Sequence, residues 1–265
     1  MKPALLDTLI SPAGNPLHYD VSKQRLEDQT TGEFFEVIGH VPVLLSANAG
    51  EKYLDVTLSN GVRAKFFYAD HYQQDAVVFD YFEAMPDGAS QHENRRLREM
   101  ILSQIPDGAT KILDVGCGSA WVAAHFANNE NKVAVYSMDI SLENPTRALK
   151  EYPFERHFAI VADVYALPFR ENTFDCIIAA EVMEHTPDPK LFITNLLRIL
   201  KPGGTLIITT PFNERIPYSL CVHCNCPTPH NAHLHSFSEQ KVRELLTGQA
   251  VQNWKTITFA NKALV

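Results

Sequence analysis

Asp114-Val115-Gly116-Cys117-Gly118 follows the apolar run Lys111-Ile112-Leu113. Two glycines one residue apart, between a strand-like and a helix-like segment, make a sharp turn stripped of side chains. A ligand can approach the backbone there, which is the chemistry of nucleotide-cofactor binding. A dinucleotide fingerprint needs a third glycine with two residues between it and Gly118, and Trp121 stands at that place. Asp114, directly before the turn, repels a pyrophosphate and suits a ligand carrying positive charge, such as an amino group or a sulfonium. The pattern points to S-adenosylmethionine rather than NAD.

Three more acids stand where strand-like runs end. Asp139 closes Val133-Ala134-Val135-Tyr136-Ser137-Met138, Asp163 closes Ile160-Val161-Ala162, and Glu181 follows Ile177-Ile178-Ala179-Ala180. In an open parallel sheet ligands bind at the carboxyl ends of strands. A carboxylate at Asp139 can accept both hydroxyls of a ribose, and one at Asp163 can accept from an adenine amino group. Acids also cap helices in such loops. Four of them, all at carboxyl ends, are harder to assign to capping than one.

Cys221-Val222-His223-Cys224-Asn225-Cys226-Pro227-Thr228-Pro229-His230-Asn231-Ala232-His233-Leu234-His235 gathers three of the five cysteines and four of the eleven histidines. Cys221-x-x-Cys224 is the first half of a zinc knuckle, with Cys226, His230 or His233 available to complete four ligands. A second Cys-x-x-Cys is missing from the sequence. Three readings stay open: a structural zinc in the 221–235 loop, histidines acting on substrate, and a loop without metal.

The elements that position these residues alternate. Strand-like runs at 111–115, 132–138, 157–162, 174–180 and 204–210 are separated by helix-like segments, which predicts a doubly wound, mostly parallel Rossmann-like α/β sheet. One helix is capped by Asp188, starts at Pro189, buries Phe192, Ile193, Leu196, Leu197 and Leu200, and ends at Pro202-Gly203-Gly204. A last helix follows Ser238, and 251–265 reads as a closing strand. Before this region, Val77, Val78, Tyr81, Phe82 and Met85 predict a buried helix face ending at Pro86, and Leu97, Ile101 and Ile105 a second helix. The expected division is a small β-rich module over 1–60, a helical linker or lid over 61–105, and the cofactor domain over 106–265.

Bulk properties narrow the function classes. The 265 residues are 45% hydrophobic and 20% charged, with 31 acids against 23 bases and a formal net charge of -8. That balance argues against a nucleic-acid footprint, and residues 1–60 repeat it with 4 bases and 8 acids. No apolar run approaches the roughly 20 residues of a membrane span. Asp7 interrupts what a signal peptide would need as its apolar core. The odd cysteine count fits reduced thiols and a cytoplasmic setting. Oligomeric state leaves no trace in the sequence.

Taken together, Leu113-Asp114-Val115-Gly116-Cys117-Gly118, Asp139-Ile140-Ser141, Ala162-Asp163-Val164-Tyr165-Ala166-Leu167-Pro168-Phe169, Phe174-Asp175-Cys176-Ile177-Ile178, Glu181-Val182-Met183-Glu184-His185 and Arg198-Ile199-Leu200-Lys201-Pro202-Gly203-Gly204 resemble the successive motifs of class I S-adenosylmethionine-dependent methyltransferases. The resemblance covers roughly residues 75–265. It implies that Asp114, Gly116, Cys117 and Gly118 hold the methionine part of the cofactor, Asp139 and Ile140 the ribose, and Asp163 with Val164 the adenine edge, with Glu181 beside them. Ala120 keeps a small residue where many members have a third glycine. The implied reaction is in-line methyl transfer to a small molecule or biosynthetic intermediate. Any proton removed from the acceptor needs a base, for which His185, His233 and His235 are the candidates.

Residues of the first segment, among them Leu5-Leu6-Asp7, Pro16-Leu17 and Gly39-His40-Val41-Pro42-Val43-Leu44-Leu45, resemble a zinc-ribbon-like module that accompanies some methyltransferases. Ser11, Gly14, Asp28 and Thr31 stand where that family has its two Cys-x-x-Cys pairs. The resemblance therefore implies a module without zinc, held by packing, with a structural or docking role. It also keeps a second function class in view, a cofactor-binding or partner-docking protein without turnover.

Overall fold

The computed structural model describes residues 1–46, 54–57, 61, 63–83, 88–127, 133–222, 225 and 227–259. A helical turn α1 (Pro3–Leu6) precedes four strands, β1 (Leu17–Asp20), β2 (Arg25–Asp28), β3 (Phe34–Ile38) and β4 (Val41–Leu44), and a hairpin of β5 (Leu54–Thr57) and β6 (Arg63–Phe66). Helices α2 (Tyr68–Val78) and α3 (Gly88–Leu102) follow. Then the chain alternates: β7 (Lys111–Val115), α4 (Trp121–Ala127), β8 (Ala134–Asp139), α5 (Glu143–Glu151), β9 (His157–Ala162), β10 (Phe174–Ala180), α6 (Pro189–Ile199) and β11 (Leu200–Thr209). A short pair, β12 (Tyr218–Leu220) and β13 (Pro227–Pro229), and helix α7 (Glu239–Leu246) complete the described elements.

Nine described strands form one sheet in the order β1-β2-β3-β4-β9-β8-β7-β10-β11. Strands β7 to β11 pair in parallel. Every residue of β8 and β9 is buried, as expected for parallel strands covered on both faces. Alternation at period two sends Leu113, Tyr136, Ile160 and Ile177 into a core with Phe192 and Leu196 of α6. Ile112, Val135 and Ile178 point the other way, towards Ile101, Val122 and Ala148 of α3, α4 and α5. The strand order reverses between β7 and β10. That switch point places the Gly116 turn next to the turn that follows β10.

The first strands are not walled off from this sheet. Val43 and Leu44 of β4 pair in parallel with Val161 and Ala162 of β9, so the β-rich segment extends the sheet edge. The four positions singled out there do converge, and hydrogen bonds rather than packing alone hold them. Asp28 is fully buried, and its carboxylate accepts from the Thr30 and Thr31 amides at 2.8 and 2.9 Å and from Asn15 Nδ2 at 3.0 Å. Ser11 Oγ accepts from the Asn15 amide at 3.1 Å, and the Gly14 amide donates to the Ser11 carbonyl at 2.8 Å. Burial works against charge at Asp28, yet the Ser11 hydroxyl, these amides and Asn15 hold its carboxyl well below the usual range.

Three expectations need correction. The helix carrying Val77 and Val78 ends at Val78, and both side chains are exposed, at 77% and 74%. Its buried residues are Tyr68, Ala69 and Ala76. Met85 and Pro86 lie outside the described residues. The last parallel strand begins at Leu200, not 204: Leu200 pairs with Phe174 and Thr205 with Cys176, so the shift in register loops out 201–204, where Gly203 has φ +79. No strand forms over 251–259; instead Arg243 of α7 stacks its guanidinium 5.0 Å from the Trp254 ring centre. Residues 260–265 lie outside the described part.

Candidate functional site

The turn after β7 is built for close approach. Gly116 has φ +65, and a Cβ there would lie 2.6 Å from Val182 Cγ2, so only glycine fits. Gly118 has φ +46 and lies under Tyr81, whose Cδ1 is 3.5 Å from the place of a Cβ. The Cys117 amide donates to the Met138 carbonyl at 3.0 Å, tying the turn to β8, and the thiol is buried. Asp114 is 2% exposed, and its Oδ2 has no hydrogen-bond partner. Burial, then the neighbouring Asp139, push its carboxyl well above the ordinary value, with Arg98 opposing weakly. An orphaned acid beside a bare turn fits the positively charged end of the expected cofactor.

Asp139 ends β8 as expected. Its Oδ1 accepts from the Ser141 amide and hydroxyl at 3.0 Å, and its Oδ2 from Asn144 Nδ2 at 3.1 Å and the Gly118 amide at 3.3 Å. Asp163 ends β9, accepts from the Tyr165 amide at 2.9 Å, and receives the Tyr68 hydroxyl. Val164 opens the short 3₁₀ turn that Asp163 caps. Glu181 follows β10 with φ +55, and its Oε1 accepts from Thr209 Oγ1 at 2.8 Å. The four acids thus occupy the carboxyl edge of neighbouring strands.

The α2 segment crosses this edge. Gln73 donates to the Ile140 carbonyl at 2.6 Å and accepts from the Leu142 amide at 3.1 Å. With Tyr68 on Asp163 and Tyr81 over Gly118, one short stretch touches the ends of β7, β8 and β9. Sequence reading missed Tyr68, Gln73 and Tyr81. Their polar tips, five and eight places apart ahead of the glycine turn, were the available signal.

Beyond Val182 the chain makes a 3₁₀ turn, Met183–His185. Glu184 is 1% exposed, and neither carboxylate oxygen has a hydrogen-bond partner; the nearby Thr210 hydroxyl is unpaired as well. Burial first, then Glu181 and Glu214, push the Glu184 carboxyl up to about 8. His185 has a buried, unpartnered Nδ1, and burial followed by His233 lowers its imidazole to about 4. His233 lies against it with ring centres 4.8 Å apart, and its Nδ1 sits 2.6 Å from Glu214 Oε2. Tyr72 covers the other side, its ring 5.9 Å from that of His185. Glu184, His185 and His233 offer ligand atoms that all lie within 4.8 Å of one another.

The remaining candidates separate. His235 Nε2 donates towards the Pro187 carbonyl at 3.4 Å, away from the other two histidines. His230 pairs its Nε2 with Ser219 Oγ at 2.5 Å, across the β12–β13 pair. Cys221 is partly buried, whereas Cys224 and Cys226 lie outside the described residues. Among the described residues no helix is long and apolar enough to cross a membrane.

A mostly parallel sheet, a bare glycine turn at its switch point and acids at successive strand ends are the features of a doubly wound nucleotide-binding fold. Residues 113–208 match the family described as Methyltransferase domain, Methyltransf_11. A 2-methyl-6-phytyl-1,4-hydroquinone methyltransferase of Synechocystis sp. is 35% identical over 171 residues, covering 64% of this chain and 51% of the relative. A malonyl-acyl-carrier-protein O-methyltransferase of Hahella chejuensis is 25% identical over 160 residues, 60% of this chain and 54% of the relative. The chain spans about half the length of these curated relatives. Among solved structures, the cyclase SpnF superposes with a TM-score of 0.50 at 22% identity, over 68% of this chain and 67% of that one. That likeness speaks to the fold alone.

Proposed function

We propose that the chain transfers the methyl group of S-adenosylmethionine to a small-molecule acceptor held against Glu184, His185 and His233. The observation that carries this reading is the contact of Val182 with the Gly116 turn, which sets the cofactor turn and the Glu-His cluster on either side of one residue. Asp114, Gly116, Cys117 and Gly118 would hold the methionine part, Asp139 and Ile140 the ribose, Asp163 and Val164 the adenine, with Glu181 at the edge. The cofactor supplies an activated methyl carbon; the protein aligns the acceptor and excludes water.

His233 is the best-placed base. With Nδ1 donating to Glu214, its Nε2 is left to accept a proton from an acceptor hydroxyl. His185 is its neighbour, and His235 is left with a structural role by its bond to Pro187. The aromatic group of Phe66, His71 and Tyr72 beside His185 suits a flat ring. The hydroquinone acceptor in the name of one relative agrees with that. Residues 61–105 act as a lid over residues 106–265, and 1–60 as a docking edge without zinc. Unpaired thiols at Cys117 and Cys176 support a cytoplasmic setting. The test is S-adenosylhomocysteine formation over a panel of phenols, hydroquinones and carboxylates. One acceptor should give stoichiometric product, with His233→Gln slowing turnover about a hundredfold. Tight cofactor binding with no turnover on any acceptor would instead support a protein that binds without catalysis.

A further inference from the structure

Glu184 poses a problem that methyl transfer alone does not resolve. A carboxylate 1% exposed, with both oxygens unpaired, stands beside Glu181 and Glu214. Burying an unpaired acid among like charges is costly unless a cation or a set of donors is supplied. None of the ion pairs found among the described residues brings a lysine or arginine to these three acids. Imidazole nitrogens of His185 and His233 lie within 4.8 Å of its carboxylate, and His185 Nδ1 is itself buried and unpartnered.

We propose that Glu184, His185 and His233 form a site for one divalent transition-metal ion. Two imidazoles and one carboxylate are a donor set for zinc or iron-like ions, with coordination positions left over. Bonds of about 2.0–2.2 Å to a shared ion put donor atoms roughly 3.4 Å apart. The observed separations, all within 4.8 Å, close by small side-chain rotations. Glu214 on His233 Nδ1 is the carboxylate that orients a metal-binding imidazole and leaves Nε2 for the ion. The strained φ of +55 at Glu181 holds the turn that leads into the site. This site is distinct from the cysteine-rich 221–226 stretch; it takes only His233 from that loop. On the methyl-transfer reading above, which this last step rests on, the loaded ion takes over from His233 Nε2 as the activating group: its open positions take oxygen atoms of the acceptor, as in a phenol with a neighbouring hydroxyl, whose acidity it raises so that the proton leaves to solvent.

The experiment titrates the metal-stripped full chain with Co²⁺ and follows visible absorption, with S-adenosylhomocysteine binding measured by calorimetry on the same samples. One Co²⁺ per chain is expected, displaced by Zn²⁺. Glu184→Gln and His233→Ala should each weaken it about tenfold or more while S-adenosylhomocysteine still binds. A rise in melting temperature on adding Co²⁺ to wild type but not to Glu184→Gln gives an independent reading. No stoichiometric Co²⁺ overturns the site while leaving the methyltransferase reading intact. Co²⁺ binding that survives both variants and disappears in Cys221→Ser also overturns it, by assigning the ion to the loop. Loss of S-adenosylhomocysteine binding in wild type would count against the functional reading instead.

Discussion

Val182 Cγ2 occupies the space that a side chain on Gly116 would need, 2.6 Å from the position of its Cβ. The contact joins the turn after β7 to the turn after β10 and so couples the glycine turn to the Glu-His cluster. Gly116→Ala must both push Val182 aside and hold alanine at φ +65, a left-handed conformation that costs about 1–2 kcal/mol by itself. Calorimetry should show S-adenosylhomocysteine affinity down about a hundredfold. Adding Val182→Ala should recover part of the loss, because the clash goes and the backbone strain stays.

Tyr68 seals Asp163 from above, its hydroxyl donating to the buried carboxylate. Tyr68→Phe removes that donor and leaves a charged acceptor short of a partner, at a cost of about 1–3 kcal/mol. Urea unfolding should report that loss. Gln73→Ala, which releases the Ile140 carbonyl and the Leu142 amide, should loosen the same segment and speed amide exchange across α2.

His157 is fully buried between Ser137 Oγ on Nε2, at 2.9 Å, and the Tyr152 carbonyl on Nδ1, at 2.8 Å. The neutral ring satisfies both, and burial lowers its value to about 4 from 6.5. A lowered value means the folded state binds its proton later than the unfolded one. The stability is therefore complete above about pH 6.5 and lost as pH falls towards 4, by about 3 kcal/mol. Glu184, raised to about 8, works the other way as pH rises, and His185 works with His157. The difference between wild type and His157→Gln isolates the effect: the gap should narrow on acidification from pH 7 to 4.5.

Asp28 binds the first segment together through Asn15, Thr30 and Thr31. Asp28→Ala strands those donors and should cost about 3 kcal/mol. The depressed carboxyl loses its contribution in the same direction as His157 but in a lower window: the contribution is present above about pH 4 and fades below it. Zinc added to the Glu184→Gln protein should leave the melting of this segment unchanged.

Local signals carried much of the site. The glycine turn, the acids at strand ends and the Asp188 cap of α6 depend on neighbours in sequence, and they stand where the pattern placed them. Long-range pairing was invisible. Glu214 gains meaning only because the loop after β11 brings it to His233, and Thr210 only because it faces Glu184. Helix α2 misled for a physical reason. Tyr81 and Phe82 follow the spacing of a core face, but the helix stops at Val78; Tyr81 then covers Gly118 and Phe82 packs under the Arg147 guanidinium at 4.6 Å. At the first segment, the bond from Asn15 to the buried Asp28 spans a turn, and one sequence gives no pattern for it.

The most direct test of the account is calorimetric titration of the full chain with S-adenosylhomocysteine and, separately, with NADH. One S-adenosylhomocysteine site per chain is expected, weakened about a hundredfold in Asp139→Ala, with no heat from NADH. Saturable NADH binding, or no S-adenosylhomocysteine binding, would contradict it.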